Sequence, residues 1–345
     1  MAQAALPFER LPTNPGLWNS CTMVRRRTFT ATLLAAAALP VPAGATIDSF
    51  ATFVDNIKRD AVRQGISSAI LAQAFARVHA NARVIELDRH QPEFTLTWEQ
   101  YRARVVTSAR VSTGRGLLAQ HGVLLRQVSG DYGIPPEIIV GIWGLETDYG
   151  RNTGSFNVVE ALTTLAWEGR RGQYFYNELM AALRILQDGD IQPAQMTGSY
   201  DGAMGQTQFM PTDFLKYAVD VGGKGSRDIW NDLGCVFAST ANYLASEGWR
   251  RTVPWGEHVR LPKGFDAMLA GPRQRRPLGE WLHLGVLRTS EATVSPEVSS
   301  AVLLPAGSGG EAFLVYYPSF SALRSYNPSD FYCISVGLIA DAIVA

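Results

Sequence analysis

The segment "GIWGLETDYGRNTGSF", residues 141–156, closes an apolar run with a carboxylate. The run is apolar on almost every face, which indicates a buried helix. Glu146 would then lie against surroundings of low dielectric constant, where burial disfavours the charged form and raises the pKa. A glutamic acid that keeps its proton near neutral pH can serve as a general acid. The placement also suits a glutamate that caps the helix or forms a structural salt bridge, so both interpretations stay open here.

The sequence on either side of Glu146 sets the bounds of this helix and suggests a binding loop. Pro135-Pro136-Glu137 predicts the helix start, since proline and an acid are both favoured in a first turn, and the helix would run to about Thr147. Downstream, "GAMGQTQFMP" (202–211) combines glycines, which permit close backbone approach, with the two-sided hydrogen bonders Gln206 and Gln208. Such a loop suits sugar hydroxyls and acetamido groups, with ordinary turn chemistry as the alternative.

The rest of the chain reads as α+β, mainly α, with a small β-rich subdomain near residues 250–320. Apolar periodicity predicts most of the helices. In the subdomain, alternation predicts a strand at 255–262, and the sequence also suggests a short helical piece and a β-hairpin. The predicted helical stretches are 48–80, two helices from Trp98 broken near Thr113-Gly114, two helices in 157–187 split at 169–172, 233–249, and a closing helix from Asn327. Residues 81–97 read as extended or irregular.

Composition excludes several function classes. The chain has 345 residues, is 46% hydrophobic and carries zero formal net charge, so one or two domains can form and charge alone suggests neither a nucleic-acid partner nor an acidic membrane surface. The five histidines have no HExxH spacing, and no G-x-S-x-G or phosphate-binding fingerprint occurs. We therefore expect no metal, no cofactor and no serine nucleophile.

Residues 1–45 differ from the remainder and predict a cleaved export signal. Three arginines at 25–27, followed by Thr-Phe as in a twin-arginine signal, precede a short apolar stretch at 30–39. That stretch is too short for a permanent membrane span. Cleavage is expected after Ala45, and Met23 is the expected true start. The alternative is an apolar N-terminal helix of the fold. The mature protein would be soluble and periplasmic.

Three segments together resemble the lytic murein transglycosylase B family. They are "GIWGLETDYGRNTGSFNVVEALTTLAWEGRRGQYF" (141–175), "SYDGAMGQTQFMP" (199–211) and "YNPSDFYCISVGLIAD" (326–341), and their order and spacing match over roughly residues 48–345. The resemblance implies a lysozyme-like catalytic domain over residues 46–345. Its substrate would be the glycan strands of peptidoglycan, cut at the MurNAc–GlcNAc bond to leave 1,6-anhydro-MurNAc ends.

This resemblance also accounts for a single carboxylate. Glycosidases usually need two carboxyl groups across the scissile bond, but the N-acetyl group of the sugar can replace one of them. Glu146 would protonate the leaving O4 and then take the proton of the C6 hydroxyl, which closes onto C1. A hydrolytic muramidase would instead need a second carboxylate such as Asp201 or Asp148. A non-catalytic glycan-binding protein on the same scaffold is the other alternative.

The family match implies further cleft residues. Ser199 would lie near the acetamido group, Gln208 would contact substrate, and the pair Arg170 and Arg171 would meet peptide or lactyl carboxylates. The remaining implied or suggested contacts are Gln206, Tyr101, Tyr174, Tyr243, Tyr326, Asn327 and Tyr332. Each tyrosine is equally compatible with a core aromatic whose hydroxyl is satisfied.

Two departures from the family pattern lead to further expectations. Some members carry a calcium loop where this chain reads "DVGGKGSRDIWNDLGC" (220–235), with Gly222 and Lys224 in place of oxygen ligands, so we expect no calcium site. Asp220 would then either cap a helix or form hydrogen bonds within the loop. Cys235 and Cys333 stand where the family rarely has cysteine. They either form a disulfide or are two separate buried thiols. We expect a monomer, and a loose association with the cell envelope stays open.

Overall fold

The computed structural model describes residues 49–89 and 96–345. The predicted export signal lies outside these residues. Helices dominate the described part, and none of them is long and apolar enough to cross a membrane. The helices are α1 (Phe50–Arg63), α2 (Ser68–Ala74), α3 (Ala82–Arg89), α4 (Trp98–Val105), α5 (Ser108–Gln120), α6 (Gly122–Tyr132), α7 (Pro136–Thr147), α8 (Val158–Glu168), α9 (Gly172–Asp188), α10 (Pro211–Tyr217), α11 (Leu233–Ser246), α12 (Leu278–His283), α13 (Ser319–Tyr326) and α14 (Asp330–Val344).

Local sequence explains where many of these helices begin and end. Side chains of Ser, Thr, Asn or Asp accept backbone N–H bonds at seven helix starts, and left-handed glycines follow three helix ends. The capping side chains belong to Ser49, Ser67, Thr97, Thr107, Asn157, Asp232 and Ser329, and the glycines are Gly133, Gly169 and Gly189.

The strands form two antiparallel sheets. β1 (Phe156–Asn157) pairs with β2 (Thr197–Gly198), which brings the end of the 141–156 segment beside Ser199. The larger sheet has the order β4-β6-β7-β3-β5. Its strands are β3 (Gly256–Arg260), β4 (Arg276–Pro277), β5 (Leu287–Arg288), β6 (Ser299–Leu303) and β7 (Ala312–Tyr316). The predicted strand, hairpin and mainly α, α+β class are confirmed.

The predicted buried helix, α7, lies at the centre of the largest hydrophobic cluster. Eight of its residues are buried, and α14 packs along it. Gly141 permits this approach, since a Cβ there would lie 3.1 Å from the carbonyl oxygen of Val336. Each large aliphatic side chain buried in this way contributes roughly 1.5–3 kcal/mol. The helix that carries Glu146 is therefore a rigid part of the core.

Two predicted boundaries are wrong. Residues 82–89 form α3 rather than an irregular segment, and its buried Val84 and Asp88 lie one turn apart on the inner face. The expected break near Gly114 does not occur, because α5 runs through it and the chain breaks instead at Val106-Thr107 and at His121. Thr107 caps α5, whereas Gly114 is buried within it.

Candidate functional site

Glu146 occupies the last turn of α7 and is half-buried. Its Oε1 accepts a hydrogen bond of 2.5 Å from the phenol of Tyr332, which lies in the first turn of α14. Tyr332 is 4% exposed. Burial and the charge of Glu146 raise the pKa of Tyr332 well above its usual range, so the phenol stays protonated and remains a donor. From the sequence, Tyr332 was assigned to the same site as Glu146 only through the family resemblance.

A left-handed turn follows the glutamate directly. Asp148, Tyr149 and Gly150 have φ values of 50°, 62° and 81°. Two consecutive non-glycine residues in this region are strained by about 1–2 kcal/mol each. The buried side chain of Tyr149 stabilises the turn by donating from its hydroxyl to the carbonyl of Arg110 at 2.7 Å. The turn therefore ends α7 one residue after the candidate acid.

Ser199 is the first residue after β2, and its hydroxyl both donates and accepts a hydrogen bond. It donates to Asp201 Oδ1 and accepts from the backbone N–H of Ala203 at 3.0 Å. Asp201, a candidate second carboxylate of a hydrolase, is thus held against Ser199. Asp148, the other candidate, forms a surface ion pair of 3.3 Å with Arg151.

The two glutamines of the glycine-rich loop differ in their surroundings. Gln208 has a φ of 51°, and its amide nitrogen donates to the carbonyls of Gly205 (2.9 Å) and Thr153 (3.2 Å). Gln206 uses both ends of its amide within the protein: Oε1 accepts from the indole of Trp143, and Nε2 donates to the carbonyl of Trp230, both at 2.8 Å. Its side chain therefore binds the protein rather than presenting a free amide to a sugar.

Two further predicted tyrosines pack behind the glycine-rich loop. The Tyr326 hydroxyl donates to the carbonyl of Thr207 at 2.6 Å, and that of Tyr243 donates to the carbonyl of Ser325 at 2.7 Å. Their ring centroids are 4.8 Å apart. Burial, followed by the charge of Glu146, raises the pKa of Tyr326 well above its usual range. The structure therefore places Tyr326 near the acid and gives Tyr243 a supporting position.

The arginine pair is held by a carboxylate that the sequence did not reveal. Arg170 and Arg171 form ion pairs with different oxygens of Asp88, which is 4% exposed on α3. Arg170 also donates to the Asp88 carbonyl at 2.9 Å. Asp88 was not predicted as a site residue because residues 81–97 read as irregular, although Val84 and Asp88 have helical spacing.

The remaining predicted contacts occupy varied positions. Asn327 accepts the backbone N–H of Ser329 at 3.1 Å just ahead of α14. Tyr174 on α9 is 44% exposed, so its ring is accessible to a ligand. Tyr101 on α4 lies 5.8 Å, between ring centroids, from Phe331. Their roles in binding sugar stay predictions.

One surface pocket of the described residues does not contain this chemistry. It has a volume of about 570 Å³ and lies between α1 and α2, lined by Lys58, Arg63 and Leu71 among others. Glu146 and the other predicted residues do not line it. The candidate site is therefore defined by the side chains around Glu146.

The loop that follows α10 is closed by its own side chains. Asp220 accepts from the backbone N–H groups of Lys224 (3.0 Å) and Gly225 (2.8 Å), which confirms its loop hydrogen-bonding role. The ammonium of Lys224 forms an ion pair with Asp232, the residue that caps α11. Within the described ranges, no group of three or more potential metal ligands occurs.

The disulfide alternative for the two cysteines is wrong. Cys235 and Cys333 are both free and fully buried. Cys333 donates from Sγ to the carbonyl of Asn327 at 3.4 Å. Burial raises the pKa of both thiols. They are two separate core residues.

Comparisons with known proteins identify the family of this chain. Residues 49–341 match the family model of the transglycosylase SLT domain. Over 259 residues the chain is 32% identical to the membrane-bound lytic murein transglycosylase B of Escherichia coli K12, which covers 71% of this chain and 67% of that protein.

Solved structures are similar over most of the chain. SltB3 of Pseudomonas aeruginosa, in complex with NAG-anhNAM-pentapeptide, has a TM-score of 0.83 and 44% identity, covering 86% of this chain and 80% of that one. SltB1 of the same organism has a TM-score of 0.74 and 32% identity, covering 86% of this chain and 98% of that one. The chain therefore belongs to the transglycosylase SLT domain family and is a lytic transglycosylase of peptidoglycan.

Proposed function

We propose that this enzyme cuts the MurNAc–GlcNAc β-1,4 bond and forms 1,6-anhydro-MurNAc ends, with Glu146 acting first as acid and then as base. The observation that carries the proposal is the difference between the surroundings of Glu146 and those of the two candidate second carboxylates. It meets a phenol donor at the end of a buried helix, while Asp201 is bound to Ser199 and Asp148 to Arg151. A hydrolase would need one of those carboxylates to activate water.

The reaction needs no second carboxylate because the sugar supplies the nucleophile. Glu146 donates its proton to the leaving O4 as the C1–O4 bond breaks, while the carbonyl oxygen of the C2 acetamido group attacks C1. The resulting oxazolinium ion is opened by the C6 hydroxyl of the same residue. Glu146, now a carboxylate, removes that hydroxyl proton and returns to its starting state. Because the C6 hydroxyl is held on the same ring, it competes effectively with water.

The neighbouring residues have roles that fit this sequence of steps. Tyr332 donates to one carboxyl oxygen and so orients the carboxyl group that we assign to O4 and then to the C6 hydroxyl. Asp201 and the N–H of Ala203 orient the Ser199 hydroxyl, which we assign to the acetamido group. We assign Arg170 and Arg171 to carboxylates of the peptide stem; the binding of NAG-anhNAM-pentapeptide by SltB3 supports a substrate of this kind.

Export remains part of the proposal. Peptidoglycan lies outside the cytoplasmic membrane, and the sequence of residues 1–45 has the pattern of a cleaved signal. We therefore place the mature enzyme in the periplasm as a monomer that contacts the envelope through its substrate.

The deciding experiment is mass analysis of the products released from purified peptidoglycan. The wild type is expected to release muropeptides whose mass is lower, by one water molecule, than the mass of muropeptides with reducing ends. Glu146→Gln is expected to lower the rate by roughly 10²–10⁴-fold, the usual contribution of a general acid or base. Glu137→Gln, in the first turn of the same helix, is the matched control and is expected to retain activity.

Two results would contradict the proposal. Products with ordinary reducing ends would indicate hydrolysis and direct attention to Asp201 and Asp148. Full activity in Glu146→Gln, with anhydro products unchanged, would remove Glu146 from the chemistry.

A further inference from the structure

Gln206 joins three separate parts of the chain at the candidate site. Its Oε1 accepts from Trp143 of α7, and its Nε2 donates to the carbonyl of Trp230. Its backbone N–H donates to the carbonyl of Ile229 at 2.9 Å, and its carbonyl accepts from the hydroxyl of Thr147 at 3.2 Å. One residue thus connects the glycine-rich loop, the end of α7 and the segment before α11.

We propose that Gln206 is a positioning residue, not a sugar ligand, and that it fixes the glycine-rich loop relative to Glu146. The inference rests on the proposed acid/base role of Glu146. It replaces the sequence-based assignment of Gln206 to sugar hydroxyls, because both polar ends of the amide already have protein partners.

The contacts of Gln206 lie on both sides of the acid in the sequence. Trp143 is one helical turn before Glu146, and Thr147 is the next residue. On the loop, Gln206 lies between Ser199 and Gln208, the residues assigned to substrate. Gln206 therefore sets the distance between the proton donor and the groups that hold the sugar.

Close packing leaves the Gln206 amide little freedom to turn toward a ligand. A Cβ added at Gly150, where φ is 81°, would lie 2.3 Å from Gln206 Oε1. A Cβ at Gly205 would lie 2.7 Å from the carbonyl oxygen of Ile229. Trp143 is 5% exposed and packs edge-on against Tyr149 and Phe237. Rotation of the amide would leave the buried indole N–H without its partner, which is costly.

The geometry predicts a specific kinetic effect. Gln206→Met keeps the length of the side chain but removes both hydrogen bonds. A displacement of about 1 Å between reacting groups can lower a rate by about 100-fold. We expect kcat on purified peptidoglycan to fall about 10- to 100-fold, with KM changed less than about twofold. A sugar ligand would show the reverse pattern, a raised KM with kcat nearly retained.

A matched glutamine elsewhere controls for the loss of a structural hydrogen bond. Gln187 on α9 accepts the backbone N–H of Ser67 at 2.7 Å, a link across 120 residues that lies outside the site. Gln187→Met is expected to keep the wild-type kcat and KM. Gln206→Glu is a graded variant: it keeps the acceptor for Trp143 but loses the donor to Trp230, and we expect an intermediate kcat.

Trp143→Phe supplies an independent variant, since it removes only the indole donor and keeps an aromatic ring. If Gln206 acts through Trp143, the two substitutions are non-additive, and the double variant has a kcat close to that of the worse single variant. Trp143→Phe also carries the test if Gln206→Met does not fold. The indole N–H resonance of Trp143 should shift in Gln206→Met and not in Gln187→Met.

Binding in an inactive background separates positioning from sugar contact. In Glu146→Gln protein, adding Gln206→Met should leave the Kd for purified peptidoglycan fragments within about twofold. A Kd raised tenfold or more, or a wild-type kcat in both Gln206→Met and Trp143→Phe, would overturn the inference. Failure of the proposed function would be distinguishable, since it would appear as reducing ends in the wild-type products or as full activity in Glu146→Gln.

Discussion

The contact between Tyr332 and Glu146 predicts how the activity depends on pH. A phenol that donates to a carboxylate favours the charged form, so the bond opposes protonation of Glu146. Burial and the charge of Glu146 raise the pKa of Tyr332, so the donor persists across the working range. Tyr332→Phe removes the donor and with it this stabilisation of the carboxylate form of Glu146.

Because a general acid must be protonated, the alkaline limb of kcat/KM reports the loss of its proton. We expect Tyr332→Phe to move this limb to higher pH and to lower kcat by misorienting the carboxyl group. Tyr316→Phe is the control, since the Tyr316 hydroxyl donates to the buried carboxylate of Glu257 in the larger sheet. That substitution should cost stability and leave the pH profile unmoved. A Tyr332→Phe profile superimposable on the wild type would contradict the role given to this bond.

Candidate site residues could be proposed from the sequence more readily than their partners. Glu146 and Gln208 were proposed from residue type and local pattern as well as from the family resemblance, and Ser199 from the resemblance alone. The roles of Trp143 and Asp88 could not be proposed in this way, since each depends on a contact between segments far apart in the chain. Gln206 looked like a sugar ligand for the same reason: an amide in a glycine-rich loop is ambiguous until its partners are known.

Gly114 shows why glycine was a poor guide to helix breaks. The residue is an intrinsic helix breaker, yet it lies inside α5, because the Tyr149 hydroxyl and Ile343 occupy the space a side chain would need. A Cβ at Gly114 would lie 2.5 Å from that hydroxyl and 2.7 Å from Ile343. The break predicted there was wrong because tertiary packing, not helix propensity, selected the glycine.

Two alanine substitutions in α5 test this explanation. Alanine normally stabilises a helix interior by roughly 0.5–1 kcal/mol relative to glycine. Gly116 is exposed with open space around its Cβ position, so Gly116→Ala should raise Tm. Gly114→Ala should instead cost about 1–3 kcal/mol through overpacking, and should lower activity by displacing the turn after Glu146. Equal effects of the two substitutions on urea unfolding would refute the packing explanation.

At the scale of the whole molecule, the fold class was predictable because the spacing of apolar residues within each segment indicates whether that segment is a helix or a strand. The mainly helical chain with a small antiparallel sheet follows from these local patterns. The state of the two cysteines was not predictable, since it depends on how α11 and α14 are placed in the core. Cys333 belongs to the cluster around α7, and Cys235 precedes Val236 and Phe237 of the same cluster.

This burial makes the thiols probes of global unfolding. The thiolate is the reactive form, and burial raises the pKa of both thiols, so alkylation of the native protein at neutral pH should be very slow. Cys333 belongs to the core cluster around α7, so opening its site requires the loss of that core. The labelling rate of Cys333 should therefore increase with denaturant in parallel with unfolding measured by circular dichroism, and Cys235, buried in the first turn of α11, is the comparison within the same protein. Peptide mass mapping of non-reduced protein distinguishes the alternatives. Labelling of one thiol well before the other would reveal a local opening near α11 or α14. Labelling that occurs only after a reductant is added would show that the two cysteines form a disulfide.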